Sequence, residues 1–135
     1  MFTYTATIRM RDIDVAGVQF FARYFALAHD AYEAFLQARG FSIAHITKHE
    51  PFLIPVVHAE ADYKAPLWIG DQVAVRVRVE ELRRRRFTMA YEILTPEGDL
   101  SCSIRTVHVV VDKAKERAVP LPERLVQALE GDVSI

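Results

Sequence analysis

Apolar and polar residues alternate over the first eleven positions. Phe2, Tyr4, Ala6, Ile8 and Met10 fall on one face, and Thr3, Thr5, Thr7, Arg9 and Arg11 on the other, which predicts a half-buried strand. The period then changes. Across 22–36 the apolar residues Ala22, Tyr24, Phe25, Leu27, Ala28, Ala31, Tyr32, Ala34, Phe35 and Leu36 leave only a thin polar stripe. That predicts a long, mostly buried helix, with Gly40 as its C-terminal stop. Residues 41–51 read as a connector with one helical turn pairing Ile43 with Ile46. Alternation then returns. Val57, Ala59, Ala61 and Tyr63 oppose His58, Glu60, Asp62 and Lys64; Val73, Val75, Val77 and Val79 oppose Ala74, Arg76, Arg78 and Glu80; Phe87, Met89, Tyr91 and Ile93 continue the series. Thr95-Pro96-Glu97-Gly98 has proline and glycine where a type I turn wants them, making a hairpin into a last strand over 100–111. The His108-Val109-Val110-Val111 end of that strand is apolar on both faces, as a central strand requires. A short helix is expected over 120–129, with Pro122 in its first turn and Leu125 and Leu129 on one face.

One strand, one long helix and four further strands joined by short turns describe an α+β domain. A five-stranded antiparallel curved sheet wrapped around one central helix satisfies that order, as a single domain over 1–135. Such a sheet covers a single helix poorly on all sides, so a homodimer is expected at least.

Composition narrows the function. The 135 residues are 51% hydrophobic and 26% charged, which excludes a disordered chain. A formal net charge of −1 argues against a nucleic-acid or general polyanion binder. No apolar run approaches the ~20 residues that span a bilayer, and the alternating N-terminus is unlike a signal peptide. No membrane partner and a cytoplasmic location are therefore expected. The single cysteine, Cys102, excludes an internal disulfide and reads as a core thiol in a strand.

Candidate chemistry concentrates in Asp12-Ile13-Asp14-Val15-Ala16-Gly17 and the helix start that follows. Asp12 and Asp14 suit a turn, with Gly17 supplying a positive φ. Between Gly17 and Tyr24, however, no Ser, Thr, Asp or Asn stands ready to cap the helix. Its first amides, around Phe20 and Phe21, carry roughly half a positive charge and would accept an external oxygen. One such donor aimed at a developing oxyanion lowers a barrier by ~3–4 kcal/mol. A carboxylate at Asp14 would attack an acyl carbon or activate water. Asp12 and Asp14 lack the further ligands of a metal shell, so no metal site is expected. Arg83-Arg84-Arg85-Arg86 is the one concentrated positive patch. A charge run is often only solvated surface, but guanidinium groups suit bidentate phosphate contacts, and a small polyphosphate fits the acidic chain better than nucleic acid does. His29, His45, His49, His58 and His108 read as hydrogen-bonded structural residues rather than metal ligands. His58 and Glu60 would share one sheet face and could line a pocket.

The run Asp12-Ile13-Asp14-Val15-Ala16-Gly17-Val18-Gln19-Phe20-Phe21-Ala22-Arg23-Tyr24, with the alanine-rich aromatic helix behind it, resembles the hot-dog-fold acyl-CoA thioesterases of the 4-hydroxybenzoyl-CoA thioesterase type. The similarity covers nearly the whole chain. It is strongest to the branch that cleaves 1,4-dihydroxy-2-naphthoyl-CoA on the route to phylloquinone or menaquinone. The stretches that carry it include His29-Asp30-Ala31-Tyr32-Glu33, 55–66, 86–93, 105–111 and 118–122. The resemblance implies a dimer that pairs through the sheet and can pair again into a tetramer, with the site between subunits. It implies Asp14 as catalytic carboxylate and the Phe21 backbone amide as the group polarising the thioester carbonyl. Gly17, Phe20, Tyr24 and His58 would contact substrate, and Arg83, Arg84 and Arg85 would hold the coenzyme A phosphates. No cofactor is implied beyond the coenzyme A of the substrate. Many relatives acting on short-chain acyl-CoA carry histidine in place of Phe21 and asparagine in place of Arg23, so an aromatic acyl group is the better expectation. Phe20, Phe21, Tyr24 and Phe25 would stack on a flat ring. A broad thioesterase for benzoyl-like or fatty acyl-CoA and a non-catalytic acyl-ligand protein are the alternatives. A hot-dog dehydratase would need a histidine near the helix start, where none stands.

Overall fold

The structure, a computed structural model, describes residues 1–133. Its long elements are β1 (Phe2–Thr7), α1 (Arg23–Ala38), β3 (Val56–Tyr63), β4 (Gln72–Leu82), β5 (Arg86–Leu94) and β6 (Leu100–Asp112). The five expected strands are joined by two short ones, β2 (Phe52–Leu53) and β7 (Arg117–Val119), which flank the far end of β6. All pairings are antiparallel, in the order β1-β4-β5-β6, with β3 on the outer edge of β6. The connector forms α2 (Ile43–His49), longer than the single turn expected and capped by the Ser42 hydroxyl, which accepts from the His45 amide. The C-terminal helix is α3 (Glu123–Val133), and Pro122 just precedes it, its carbonyl accepting from Val126.

The first strand stops sooner than its alternation suggests. It ends at Thr7, and Met10–Asp12 turn as one short 3-10 segment. Met10 is exposed rather than in line with Phe2 and Tyr4. The reason is Asp12: its carboxylate accepts from the Arg9 amide at 2.8 Å and from Arg23 Nη2 at 2.8 Å, folding the chain back onto the start of α1. That half-buried pairing holds the Asp12 pKa low. Burial raises it, but the Arg9 amide and the Arg23 guanidinium outweigh burial.

The inner face of the sheet carries Val73, Val75, Val77, Phe87, Met89, Tyr91, Ile93, Cys102, Ile104 and Val110, all buried. Each fully buried side chain of this kind contributes about 1.5–3 kcal/mol. Against that face α1 lays Tyr24, Leu27, Ala28, Ala31, Tyr32, Phe35 and Leu36. Its burial is one-sided in a single chain, since His29, Asp30, Glu33 and Gln37 are exposed. Gly40, at φ +85°, lets the chain leave the helix while the Phe41 amide bonds back to the Leu36 carbonyl. Leu125 and Leu129 of α3 are fully buried in the same core. The result is the hot-dog arrangement, a curved antiparallel sheet around one long helix. Cys102 lies inside it, its thiol pushed up to about 12 by burial and by Asp62. Among the described residues no helix is long and apolar enough to cross a membrane.

Candidate active site

The loop before α1 is a miniature hairpin. Ile13 bridges Gln19, the Asp14 amide donates to the Val18 carbonyl, and the Gly17 amide donates to the Asp14 carbonyl at 3.0 Å. Gly17 adopts φ +85°, the left-handed region that a side chain disfavours. Asp14 Oδ1 accepts from the Ala16 amide at 2.8 Å, a local turn that fixes the carboxylate. Asp14 Oδ2 has no hydrogen-bond partner among the described residues, and the side chain is exposed.

The far strand of that hairpin runs into the helix mouth. α1 has no side-chain cap and no acidic residue in its first turn. The Phe20 amide, expected to be free, is taken by the Asp12 carbonyl at 2.8 Å. The Phe21 and Ala22 amides donate to nothing among the described residues. One free donor of the expected pair therefore belongs to Phe21. Tyr63, at the end of β3, steadies this corner: its hydroxyl donates to the Phe21 carbonyl at 2.9 Å. A cleft of about 330 Å³ opens here between Phe21, Tyr24 and Gln19 on one side and Tyr63, Ala65 and Pro66 on the other. The aromatic residues differ in access. Phe20 and Phe21 are 43% and 61% exposed with rings 4.9 Å apart, whereas Tyr24 is buried edge-on to Tyr63 at 5.1 Å.

Gly17, Phe20, Phe21 and Tyr24 thus lie together with Asp14 at the N-terminal end of α1. The remaining expected residues do not join them within one chain. His58 pairs with Glu60 at 3.1 Å, as its spacing suggested, but Glu60 lines a cleft on the outer face of the sheet with Arg78 and Arg105. Ala59, between them, faces α1 instead, because successive residues of a strand point to opposite sides. Arg83, Arg84 and Arg85 form the β4–β5 turn at the opposite end of the sheet from the helix mouth. Along β4, at ~3.3 Å per residue, that is roughly 30 Å from the end of the strand beside Asp12. The three arginines also differ among themselves. Glu81 grips Arg83 with both oxygens, at 2.9 and 3.0 Å, and raises its pKa. Arg84 and Arg85 are exposed and make no side-chain ion pair among the described residues.

Three polar groups on the inner face carry no clear signal in the sequence. Tyr91 Oη and Thr106 Oγ1 are 2.9 Å apart, and Thr106 Oγ1 lies 2.7 Å from His108 Nε2. His108 is fully buried, stacked between Phe87 at 4.8 Å and Tyr32 at 4.5 Å. Burial and the neighbouring His29 push its pKa down to about 4, so the ring is neutral. Among the described residues no cluster of His, Cys, Asp and Glu is arranged to hold a metal ion.

Known proteins align with nearly all of this chain. Residues 8–129 match the profile of the thioesterase-like superfamily. A 1,4-dihydroxy-2-naphthoyl-CoA hydrolase from Rippkaea orientalis is 35% identical over 130 residues, covering 95% of this chain and 94% of its own. One from Nostoc punctiforme is 32% identical over 96% of this chain and 86% of its own. Among solved structures, a 1,4-dihydroxy-2-naphthoyl-CoA thioesterase from Synechocystis superposes with a TM-score of 0.91 at 31% identity, over 99% and 98% of the two chains. A gentisyl-coenzyme A thioesterase superposes at 0.84 with 25% identity, over 92% and 98%.

Proposed function

The chain belongs to the thioesterase-like superfamily, and from that premise we propose that it hydrolyses the thioester of an aromatic acyl-CoA, 1,4-dihydroxy-2-naphthoyl-CoA first. The observation that carries the reading is the unpaired Phe21 amide at the uncapped start of α1, beside a carboxylate held in its own turn. The thioester carbonyl accepts a hydrogen bond from Phe21 N–H, and the bond strengthens as the oxygen gains negative charge. Asp14 supplies the carboxylate, either taking a proton from the attacking water or itself adding to the acyl carbon. The carbon–sulfur bond then breaks and coenzyme A leaves as its thiol. The two groups suffice for this chemistry, so the proposal includes neither a metal nor a cofactor. A carboxylate in water and an amide that bound substrate covers play distinct parts. The first needs access to solvent, and the second gains strength where water is excluded.

The reading extends to a cytoplasmic homodimer able to form a tetramer. β3 is exposed on both faces in a single chain and carries Val56, Val57 and Tyr63 along an unpaired edge. Glu60 and Asp62 charge its outer face, but an exposed edge strand that carries large apolar side chains still invites strand pairing. A second copy there would also bring the arginines of another turn, whereas those of the same chain lie roughly 30 Å along β4 from the helix mouth. Substrate specificity has chemical support as well. The 1,4-dihydroxy-2-naphthoyl and gentisyl groups named for the relatives are both hydroquinones with the carbonyl beside one hydroxyl.

The test is thiol release from a panel of aromatic and aliphatic acyl-CoAs by wild type and Asp14→Asn. Wild type is expected to prefer hydroxylated aryl-CoAs, and the variant to fold normally but lose turnover by about a thousandfold. A retained rate in Asp14→Asn rejects the mechanism. Preference for aliphatic chains rejects the substrate.

A further inference from the structure

A second cavity, of about 360 Å³, opens between α1 and the sheet. Phe25, Ala26 and His29 of α1 and Val56 and Ala59 of β3 form its walls, while Tyr91 and Thr106 line it from the sheet. Phe25 follows Phe21 by four residues, so this space begins about one helical turn, ~6 Å, beyond the free amide. Its size falls within the range of small-ligand sites, and its lining is apolar apart from His29, Tyr91 and Thr106.

The polar groups behind it have an unfinished hydrogen-bond chain. Tyr91, Thr106 and the neutral His108 are linked by two bonds. His108 Nδ1 is buried and without a partner among the described residues. If the chain runs from Tyr91 toward His108, the imidazole proton must sit on Nδ1, a buried N–H with no acceptor. If it runs the other way, Nε2–H donates to Thr106, Thr106 donates to Tyr91, and Nδ1 is a bare lone pair. Within the protein alone, either direction leaves one buried hydrogen without an acceptor, Nδ1–H in the first and Tyr91 O–H in the second. An acceptor placed in the cavity beside Tyr91 satisfies the second and leaves only the Nδ1 lone pair short, so an occupant selects that direction. The Tyr91 hydroxyl hydrogen is then spare, at the end of the chain next to the cavity.

We propose that this cavity receives the ring of the acyl group, and that Tyr91 Oη donates to the oxygen of the ring hydroxyl remote from the thioester. Thr106 and His108 act as positioning residues: through them the Tyr91 oxygen is held as an acceptor, which leaves its hydrogen for the substrate. Phe25 packs on the ring. The assignment rests on the aromatic acyl-CoA reading above and adds what distinguishes one aryl group from another. A site built to bond a hydroxyl discriminates strongly against the analogue that lacks it, because the buried donor is then left unpaired.

The experiment compares kcat/KM for 1,4-dihydroxy-2-naphthoyl-CoA and 1-hydroxy-2-naphthoyl-CoA, which differ only in the remote hydroxyl. Wild type should prefer the first by about tenfold or more. Tyr91→Phe should bring the ratio to about one, chiefly by loss on the dihydroxy substrate. A structural defect would lower both rates together and leave the ratio, so that outcome overturns the assignment. Equal efficiency of wild type on the two substrates also overturns it, with no variant needed, and leaves the thioesterase reading intact. Failure of wild type to cleave either naphthoyl-CoA removes the aromatic reading and this assignment with it.

Discussion

Acidification should destabilise this protein through His108, beginning well above the range in which Asp12 is protonated. The folded pKa is about 4 against an ordinary 6.5, because burial between Phe87 and Tyr32 and the nearby His29 disfavour the cation. The unfolded chain therefore binds a proton that the folded chain refuses, and stability falls as pH falls through that window. The loss begins near pH 6.5, where the unfolded ring starts to charge, and is complete near pH 4, where the folded ring charges too. At about 1.4 kcal/mol for each pH unit, the gap from 6.5 to about 4 corresponds to about 3 kcal/mol. That is a large part of an ordinary domain's margin. Urea unfolding at fixed protein concentration, at pH 7, 6, 5 and 4.5, measures it. His108→Gln supplies the comparison, since its amide can still bond Thr106 but does not titrate. Wild type should lose about 2 kcal/mol more than the variant between pH 7 and 4.5. Asp12 does not confound this window. Its folded pKa lies below the usual 3.8, so its stabilisation is present above that value and fades only as pH falls below it. Parallel losses in wild type and His108→Gln would refute the reasoning.

Two further outcomes bear on the proposed site. Replacing Arg84 and Arg85 together by alanine should raise KM for acyl-CoA about fivefold at low salt and less than twofold at 0.5 M salt, as exposed charge contacts weaken with screening. Arg83→Ala should do less, because Glu81 already holds that guanidinium; steady-state kinetics showing Arg83 as the dominant residue would reject the ranking. Tyr63→Phe releases the Phe21 carbonyl and should lower kcat severalfold with KM nearly unchanged, as looser control of the helix mouth implies. A pure KM effect in that variant would mean that Tyr63 binds substrate rather than positioning the peptide.

The course of the long elements could be read from period alone, because burial selects for it. Val73, Val75, Val77 and Val79 had to face inward together, and they do. The end of β1 could not be read that way. Met10 continues the alternation by residue type, but Asp12 needs the Arg9 amide and Arg23, and two charge-assisted bonds outweigh one exposed methionine. The site divides along the same line. An uncapped helix start is a local property, so the free Phe21 amide was visible as the absence of Ser, Thr, Asp and Asn. Which neighbouring amide is free was not visible, since the Asp12 carbonyl that occupies Phe20 comes from the chain's return path. The arginine turn was visible as charge density, but its place at the far end of β4 from this chain's own helix mouth was not, because sequence does not report position along a strand. Tyr91, Thr106 and His108 were hidden for the opposite reason. Each fits the inner-face alternation of a strand and passes for core. Only register, which sets Tyr91 against Ile104 and Phe87 against His108, places three polar atoms in one line. A hydroxyl and an imidazole inside an apolar row cost stability unless bonded to each other or to something else. Two bonds among three donors leave one hydrogen over, and the cavity lined by Tyr91 and Thr106 is where an acceptor would reach it.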